Sequence, residues 1–137
     1  MSETVFEFPV RVYYEDTDAG GVVYHSNYIN FMERARTEWL RNLGFEQDDL
    51  IERMQVLFAV RKLTIDYRKP ALFNQALVVK TSVTDVRKAS LTFEQDIYLQ
   101  TDDVILTTGE VKIACLDSQS LRPAPIPREI QEKLQHG

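Results

Sequence analysis

The chain has 137 residues, of which 44% are hydrophobic and 27% are charged, and this size and balance predict one folded domain over residues 1–137. Its net charge of −5 counts against the broad cationic surface that nucleic-acid binding requires. The longest apolar runs fall far short of the about 20 residues that a membrane span needs.

Two further features indicate the compartment. The start, MSETVFEFPV, lacks the basic and then apolar pattern of a secretory signal. A single cysteine, Cys115, excludes an intrachain disulfide and favours a reducing environment. Because Cys115 lies in a strand-like pattern, we expect it to be a small core residue. The sequence therefore predicts a cytoplasmic protein.

The first half of the chain changes its hydrophobic period. Residues 6–14 alternate between apolar and polar side chains, which predicts a half-buried strand. Its apolar face would hold Phe6, Phe8, Val10, Val12 and Tyr14. Spacings of three and four then predict a helix with a buried stripe of Tyr28, Met32, Ala35, Trp39 and Leu43. A wider apolar face adds Ile29, Phe31 and Leu40 and predicts that this helix is enclosed. Ser26 or Asn27 is expected to cap its start and Gly44 its end.

The second half reads as strands. A short helix over 46–53 precedes four long strands over 56–69, 76–87, 90–100 and 103–116, and a polar helix over 127–135 ends the chain. The last strand is expected to bury Ile105, Thr107, Gly109, Val111, Ile113 and Cys115. Consecutive strands joined by short turns favour an antiparallel sheet. The sequence thus predicts an α+β fold in which a curved sheet wraps one long helix, and edge pairing between copies would extend it.

A polar stretch, YYEDTDAGGVVYHSNY over residues 13–28, joins the first strand to the helix. A helix start presents free N–H groups and a partial positive charge. A carboxylate near such donors suits acyl transfer, because the donors polarise a carbonyl while the carboxylate attacks it or activates water. Turn formation by aspartate and by Gly20–Gly21, with capping of the helix, explains the same residue types. His25 likewise suits a structural or a functional role.

The stretch RVYYEDTDAGGVVYHSNY, residues 11–28, resembles the signature of the 4-hydroxybenzoyl-CoA thioesterase family. Within the family it is most similar to the YbgC branch, the Tol–Pal-associated acyl-CoA thioesterases. The similarity continues through MERARTEWLRNLGF and the strand order, over about residues 5–125. The resemblance implies a hot-dog fold, with a curved antiparallel sheet around a long central helix. It also implies hydrolysis of acyl-CoA thioesters, with short aliphatic chains fitting the YbgC branch.

The resemblance also implies roles for particular residues. Asp18 occupies the position of the family's catalytic carboxylate and would act as nucleophile or general base. Backbone N–H groups at Tyr24 or His25 would polarise the thioester oxygen, and the His25 side chain would orient the carbonyl or assist proton transfer. Asp16 is expected to stabilise a turn. Other hot-dog branches use a helix-borne glutamate, but Glu33 lies off the buried stripe and is expected to be a structural or surface residue.

The coenzyme A phosphates need cations, and members of the family bind coenzyme A at subunit boundaries. Arg87–Lys88, at a predicted turn between strands, is the first candidate pair for this role, and Arg61–Lys62 is the second. No metal site is expected, because two histidines and one cysteine lack a suitable spacing. No separate cofactor is expected either, since coenzyme A is part of the substrate. By family analogy the protein would form a homodimer or a homotetramer.

Two alternatives to a thioesterase stay open. A hot-dog hydratase or dehydratase would act on the same thioesters, but it normally pairs a histidine with a helix carboxylate or has another Asp–His motif, which this sequence lacks. A non-hydrolytic module that binds acyl thioesters or acyl carrier protein would not need a carboxylate aimed at the carbonyl. Acyl-CoA is the expected ligand and acyl carrier protein a candidate partner. Peripheral contact with the inner face of the cytoplasmic membrane is a candidate location.

Overall fold

The chain folds into one antiparallel sheet with a long helix against one face. The computed structural model describes residues 5–136. Residues 1–4, part of the start interpreted above for a secretory signal, and residue 137 lie outside this range. The elements follow in the order β1 (Phe6–Arg11), α1 (His25–Asn42), α2 (Gln47–Glu52), β2 (Val56–Tyr67), β3 (Ala76–Val86), β4 (Ser90–Leu99), β5 (Val104–Asp117) and α3 (Arg128–His136). The four long strands and both short helices lie within two residues of their predicted bounds.

The sheet has the strand order β1-β3-β4-β5-β2, and every neighbouring pair is antiparallel. The predicted α+β architecture is therefore confirmed. β1 and β2 are the two edges. Because strand direction alternates, the last residues of β1 and β2, Arg11 and Tyr67, lie at the same end of the sheet, which is termed the lower end. The turn between β3 and β4, which holds Arg87–Lys88, lies at the opposite, upper end.

The long helix α1 packs its predicted stripe against the sheet. Its buried residues include four of the five predicted for the stripe: Tyr28, Met32, Ala35 and Trp39. The Trp39 ring meets Phe93 of β4 edge-on at 4.9 Å between centroids. The buried Gln95 amide of β4 donates to the Met32 carbonyl at 3.0 Å. These contacts hold α1 at a fixed place on the sheet.

Of two further predictions for α1, the one for its C-terminal cap is confirmed and the one for its enclosure is not. Gly44 follows the helix with φ of 99°, the left-handed conformation of a C-terminal cap, as predicted. The expectation that α1 is enclosed is not met within one subunit, because Glu33 and Arg34 are exposed and Ile29 is only partly buried. One side of α1 is covered by the sheet, and the other side borders solvent.

β1 is shorter than the alternating pattern predicted. The strand ends at Arg11, and Tyr14, expected on its buried face, is 81% exposed. A short 3₁₀ turn over Tyr14–Asp16 takes the chain out of the strand. The Asp16 carboxylate closes this turn by accepting the Tyr13 N–H at 2.8 Å.

β5 departs from its predicted face at one residue. Ile97 of β4 pairs with Thr107 and Tyr98 pairs with Ile105, so Leu106 is an extra residue that forms a bulge. Leu106 is 3% exposed and takes the buried position that was predicted for Ile105. A bulge shifts the alternation of a strand, and the hydrophobic pattern alone does not reveal it.

Cys115 lies in the core, as predicted, with no exposed surface. Its thiol makes a 3.6 Å contact with the Pro125 carbonyl. Burial raises the pKa of the Cys115 thiol to about 11, so the reactive thiolate is scarce at neutral pH. Of the helices in the described residues, none is long and apolar enough to span a membrane.

Candidate active site

Residues 17–23 form a small hairpin between β1 and α1, at the lower end of the sheet. Thr17 and Val23 pair in an antiparallel bridge, and the Asp18 N–H donates to the Val22 carbonyl at 2.9 Å. Gly21 lies in the turn with φ of 81°, a left-handed conformation that glycine adopts without strain. The hairpin presents Asp18 at the lower end of the molecule.

The Asp18 carboxylate is exposed but oriented. Its Oδ1 accepts the Gly20 N–H at 2.8 Å. A Cβ at position 20 would lie 3.2 Å from this oxygen, so glycine permits the close approach. Among the described residues, Oδ2 has no hydrogen-bond donor. One oxygen therefore holds the carboxylate in place, and the other is available to a substrate or a water molecule.

The start of α1 differs from the prediction in its cap. Tyr24 is the N-cap residue and makes no side-chain capping bond, whereas Ser26 and Asn27 lie inside the helix. The Tyr24 N–H donates to the Asp16 carbonyl at 2.9 Å, and the Asn27 N–H donates to the Tyr24 carbonyl at 2.8 Å. The Asp16 carbonyl thus attaches the N-cap residue to the loop, but it does not cap the N–H groups of the first helical turn.

This arrangement decides which donors are free. The predicted donors were the N–H groups of Tyr24 or His25, and the Tyr24 N–H is already occupied by Asp16. Over residues 5–136, the N–H groups of His25 and Ser26 donate no hydrogen bond. His25 is therefore the predicted donor that remains free, with Ser26 beside it.

Tyr67 is a residue of this region that the sequence reasoning missed. Its hydroxyl donates to the His25 carbonyl at 3.0 Å, across 42 positions of the chain. Burial raises the pKa of the Tyr67 hydroxyl, so the hydroxyl keeps its proton at neutral pH and can donate. The His25 ring itself is exposed and lies 4.4 Å from the Tyr24 ring. The only sequence signal for Tyr67 was that it is an aromatic residue near the end of a predicted strand.

Tyr28 connects the segment after β2 to the start of α1. Its hydroxyl oxygen accepts the Ala71 N–H at 3.0 Å, and its ring meets Tyr67 edge-on at 5.4 Å between centroids. The Ala71 carbonyl in turn accepts the Val23 N–H at 2.8 Å. Burial raises the pKa of Tyr28, so the ring stays neutral. The hairpin, the helix start and the end of β2 are thus joined by hydrogen bonds.

The predicted phosphate-binding pairs lie elsewhere in the subunit. Arg87–Lys88 follow β3, which starts at Ala76 at the lower end. At about 3.3 Å per residue, this strand separates the pair from the lower end by about 33 Å. Arg61–Lys62 lie in the middle of β2, where Arg61 is the extra residue of a bulge. All four side chains are exposed, and within one subunit neither pair is close to Asp18.

A groove of about 290 Å³ runs along α1 beside β2. Its lining includes Ile29, Glu33, Arg36, Leu40, Phe58 and Val60. Glu33 is exposed, as predicted, and at about 1.5 Å per residue it lies about 12 Å along the helix from His25. The structure therefore places Glu33 in the groove and away from the free donors.

A sheet wrapped around one long helix, with a carboxylate hairpin joined to the helix start, is the hot-dog arrangement of proteins that process thioesters. The chain belongs to the thioesterase-like superfamily, whose family model matches residues 12–134. The resemblance inferred from residues 11–28 and the hot-dog fold are thereby confirmed.

Individual relatives agree with this assignment. The acyl-CoA thioesterase YbgC of Haemophilus influenzae is 46% identical over 136 residues, which cover 99% of this chain and 98% of that protein. The acyl-CoA thioester hydrolase YbgC of Escherichia coli O6:H1 is 45% identical over 130 residues, 95% and 96% of the two chains. A crystal structure of a probable thioesterase from Bartonella henselae is 34% identical and superposes with a TM-score of 0.85, covering 90% of this chain and 100% of that one.

Proposed function

We propose that this chain is an acyl-CoA thioesterase, which converts acyl-S-CoA and water to a carboxylate and free coenzyme A. The main support is one geometric observation: the hairpin that presents the Asp18 carboxylate leads directly into a helix start with a free His25 N–H. Two relatives at 45% and 46% identity over nearly the whole chain are named for acyl-CoA thioester hydrolysis. Carboxylate and donor together supply what acyl transfer needs.

The proposed chemistry uses these two groups. The thioester oxygen accepts the His25 N–H, so negative charge that develops on it is stabilised by a backbone donor and the helix dipole. As a nucleophile, Asp18 bonds to the acyl carbon through its free oxygen while the C–S bond breaks, and water then hydrolyses the anhydride. As a general base, Asp18 takes the proton of the attacking water instead. In either route the exposed His25 ring orients the carbonyl or assists proton transfer to the departing thiolate.

Short aliphatic acyl chains are the proposed substrate class. The groove along α1 begins at Ile29, about one helical turn from the free His25 N–H. Its apolar lining is interrupted by Glu33 and Arg36. Burying methylene groups against these charged side chains is unfavourable. A long chain in this groove would therefore lose part of the hydrophobic gain, and a short chain would not.

Thiol release from a panel of acyl-CoA esters of increasing chain length tests the proposal. We expect hydrolysis, with the highest kcat/KM for short aliphatic esters. Little background is expected from the Cys115 thiol, because it is fully buried and burial raises its pKa to about 11. A hydratase would add water to an enoyl-CoA without releasing thiol. Binding of acyl-CoA without any thiol release would contradict the proposal and favour a binding module.

We also propose that two subunits pair through their β2 edges. β2 has 12 residues, and as an edge strand it presents unpaired backbone N–H and carbonyl groups. Val60 on this strand is 53% exposed, and the groove along α1 opens beside it. A second copy would complete the sheet and cover the exposed side of α1. Two such dimers would form the homotetramer that the family analogy suggests.

This pairing would give the distant cations a role. An antiparallel pairing of two β2 strands inverts one subunit relative to the other. The upper end of one subunit then lies at the same end of the joint sheet as the lower end of its neighbour. The Arg87–Lys88 turn of each subunit would thereby approach the Asp18 hairpin of the other. Arg61–Lys62, within β2, would lie at the boundary itself.

Replacing both Arg87 and Lys88 by Ala is expected to raise KM for acyl-CoA about tenfold or more, because the coenzyme A phosphates would lose their charge-assisted hydrogen bonds. KM for an acyl-pantetheine, which lacks the nucleotide phosphates, should not change. Mixing this variant with Asp18→Asn chains should restore a low KM, since each mixed dimer has one intact carboxylate and one intact cation pair that face each other. If the mixture kept the high KM of the Arg87 and Lys88 double variant, the proposal of a site shared between subunits would be contradicted.

A further inference from the structure

Asp16 is a buried carboxylate in an otherwise exposed loop. It is 4% exposed, whereas Glu15 and Asp18 beside it are exposed. A buried carboxylate is unfavourable unless hydrogen bonds replace its lost water. Within residues 5–136, no lysine, arginine or histidine side chain forms an ion pair with it. Neutral donors must therefore stabilise its charge.

Two such donors reach the Asp16 carboxylate, and a third donor bonds to the Asp16 backbone carbonyl. Oδ1 accepts the Asn27 side-chain amide at 2.8 Å, and Oδ2 accepts the Tyr13 N–H at 2.8 Å. The Asp16 carbonyl accepts the Tyr24 N–H at 2.9 Å. Asp16 thus connects the chain after β1, the N-cap of α1 and the first turn of α1.

A turn alone does not need this set of bonds. The bond from Tyr13 closes a local turn over three positions. The bond from Asn27 spans eleven positions and ends in the helix. Between Asp16 and Tyr24 lies the hairpin that carries Asp18. The bonds from Tyr24 and Asn27 therefore close the base of this hairpin and attach it to α1.

We propose that Asp16 and Asn27 are positioning residues that hold the Asp18 carboxylate at reaction distance from the free His25 N–H. The inference rests on the proposed thioester hydrolysis, and neither residue acts on the reacting atoms. Carboxylate and donor come from different elements, so their separation depends on how the hairpin base is attached. A misplacement of about 1 Å in such a site costs about 10²-fold in rate.

Removing the bond tests this role. Asn27→Ala and Asp16→Asn should each lower kcat by about 10- to 10²-fold. Asp16→Asn breaks the arrangement because an amide cannot accept both the Tyr13 N–H and the Asn27 amide without presenting a donor to a donor. KM should change little, since the surfaces that bind the substrate are intact. Asn30→Ala, an exposed asparagine about one turn further along α1, is the matched control and should keep the wild-type kcat.

The exchanged pair Asp16→Asn with Asn27→Asp provides a rescue. Its Asn side chain can accept the Tyr13 N–H and donate to the new Asp, so kcat should recover to within about threefold of wild type. Asn27→Asp alone places two carboxylates together and should be the slowest variant. Rates are taken per folded molecule, with the folded fraction from thermal unfolding, so that a loss of stability is not counted as a loss of rate.

The outcomes separate this inference from the proposed function. Wild-type kcat in folded Asn27→Ala, or no recovery in the exchanged pair, would overturn the positioning role while the thioesterase assignment stands. An inactive wild-type protein would overturn both. A lowered kcat with nearly constant KM, together with recovery in the exchanged pair, would establish that the two residues act through geometry.

Discussion

Replacing Asp18 by Asn is expected to lower kcat for acyl-CoA hydrolysis by about 10²–10⁴-fold, the effect of losing a catalytic carboxylate. The amide is a poor nucleophile and does not take a proton from water. The change keeps the shape of the hairpin, because the amide oxygen can still accept the Gly20 N–H that Asp18 Oδ1 accepts now. Thiol release at saturating acyl-CoA measures the effect.

Controls separate this effect from a loss of folding. Asp18 is exposed, so the free energy of unfolding should change by no more than about 0.5 kcal/mol. Asp48→Asn, a change of an exposed carboxylate on α2, should keep full activity. Equal hydrolysis by wild type and Asp18→Asn would support the proposed reaction but show that a carboxylate other than Asp18 carries it out. Glu33 would then be the next residue to replace.

Replacing His25 by Pro is expected to lower kcat by about 10²–10³-fold, the effect of removing one oxyanion donor. Proline removes the backbone N–H at position 25 and nothing else from the main chain. It suits the first position of a helix, which His25 occupies. The residue before a proline must be extended, and Tyr24 already is, with φ of −65° and ψ of 136°. The helix should therefore form as before.

His25→Ala is the matched control, since it removes the same ring but keeps the N–H. The difference in kcat between the Pro and Ala variants isolates the backbone donor, and the difference between Ala and wild type isolates the ring. Circular dichroism of both variants checks that α1 is intact. Equal rates for the Pro and Ala variants would exclude the His25 N–H and leave Ser26 as the donor.

Much of the fold could be predicted because its signals are local. The alternation of residues 90–100 and the three-and-four spacing from Tyr28 to Trp39 follow from how strands and helices present side chains, and both elements are present. Gly44 ends α1 because few other residues adopt its left-handed conformation without cost. Residue types alone fitted a turn and a helix cap as well as a catalytic role, so Asp18 was singled out by the resemblance of residues 11–28 to a thioesterase signature.

Other features depended on contacts between distant residues. Tyr67 reaches the His25 carbonyl across 42 positions, and the Leu106 bulge depends on pairing between β4 and β5. The Tyr24 N–H was one of two equal candidates until the Asp16 carbonyl was found to occupy it. The distance from Arg87–Lys88 to the hairpin follows from strand direction, which the basic residues themselves do not encode.

The sequence by itself determined the elements and the antiparallel sheet around one helix, because these follow from hydrophobic period and backbone preference over short distances. It also singled out residues 13–28, by their polar residues and by their resemblance to a thioesterase signature. Only the tertiary structure decided which N–H groups are free, how Asp16 attaches the hairpin to α1 and on which end of the sheet each charge lies. These features depend on where a hydrogen-bond donor or acceptor from a distant part of the chain lies in the folded protein. The local sequence carries no signal for such a partner.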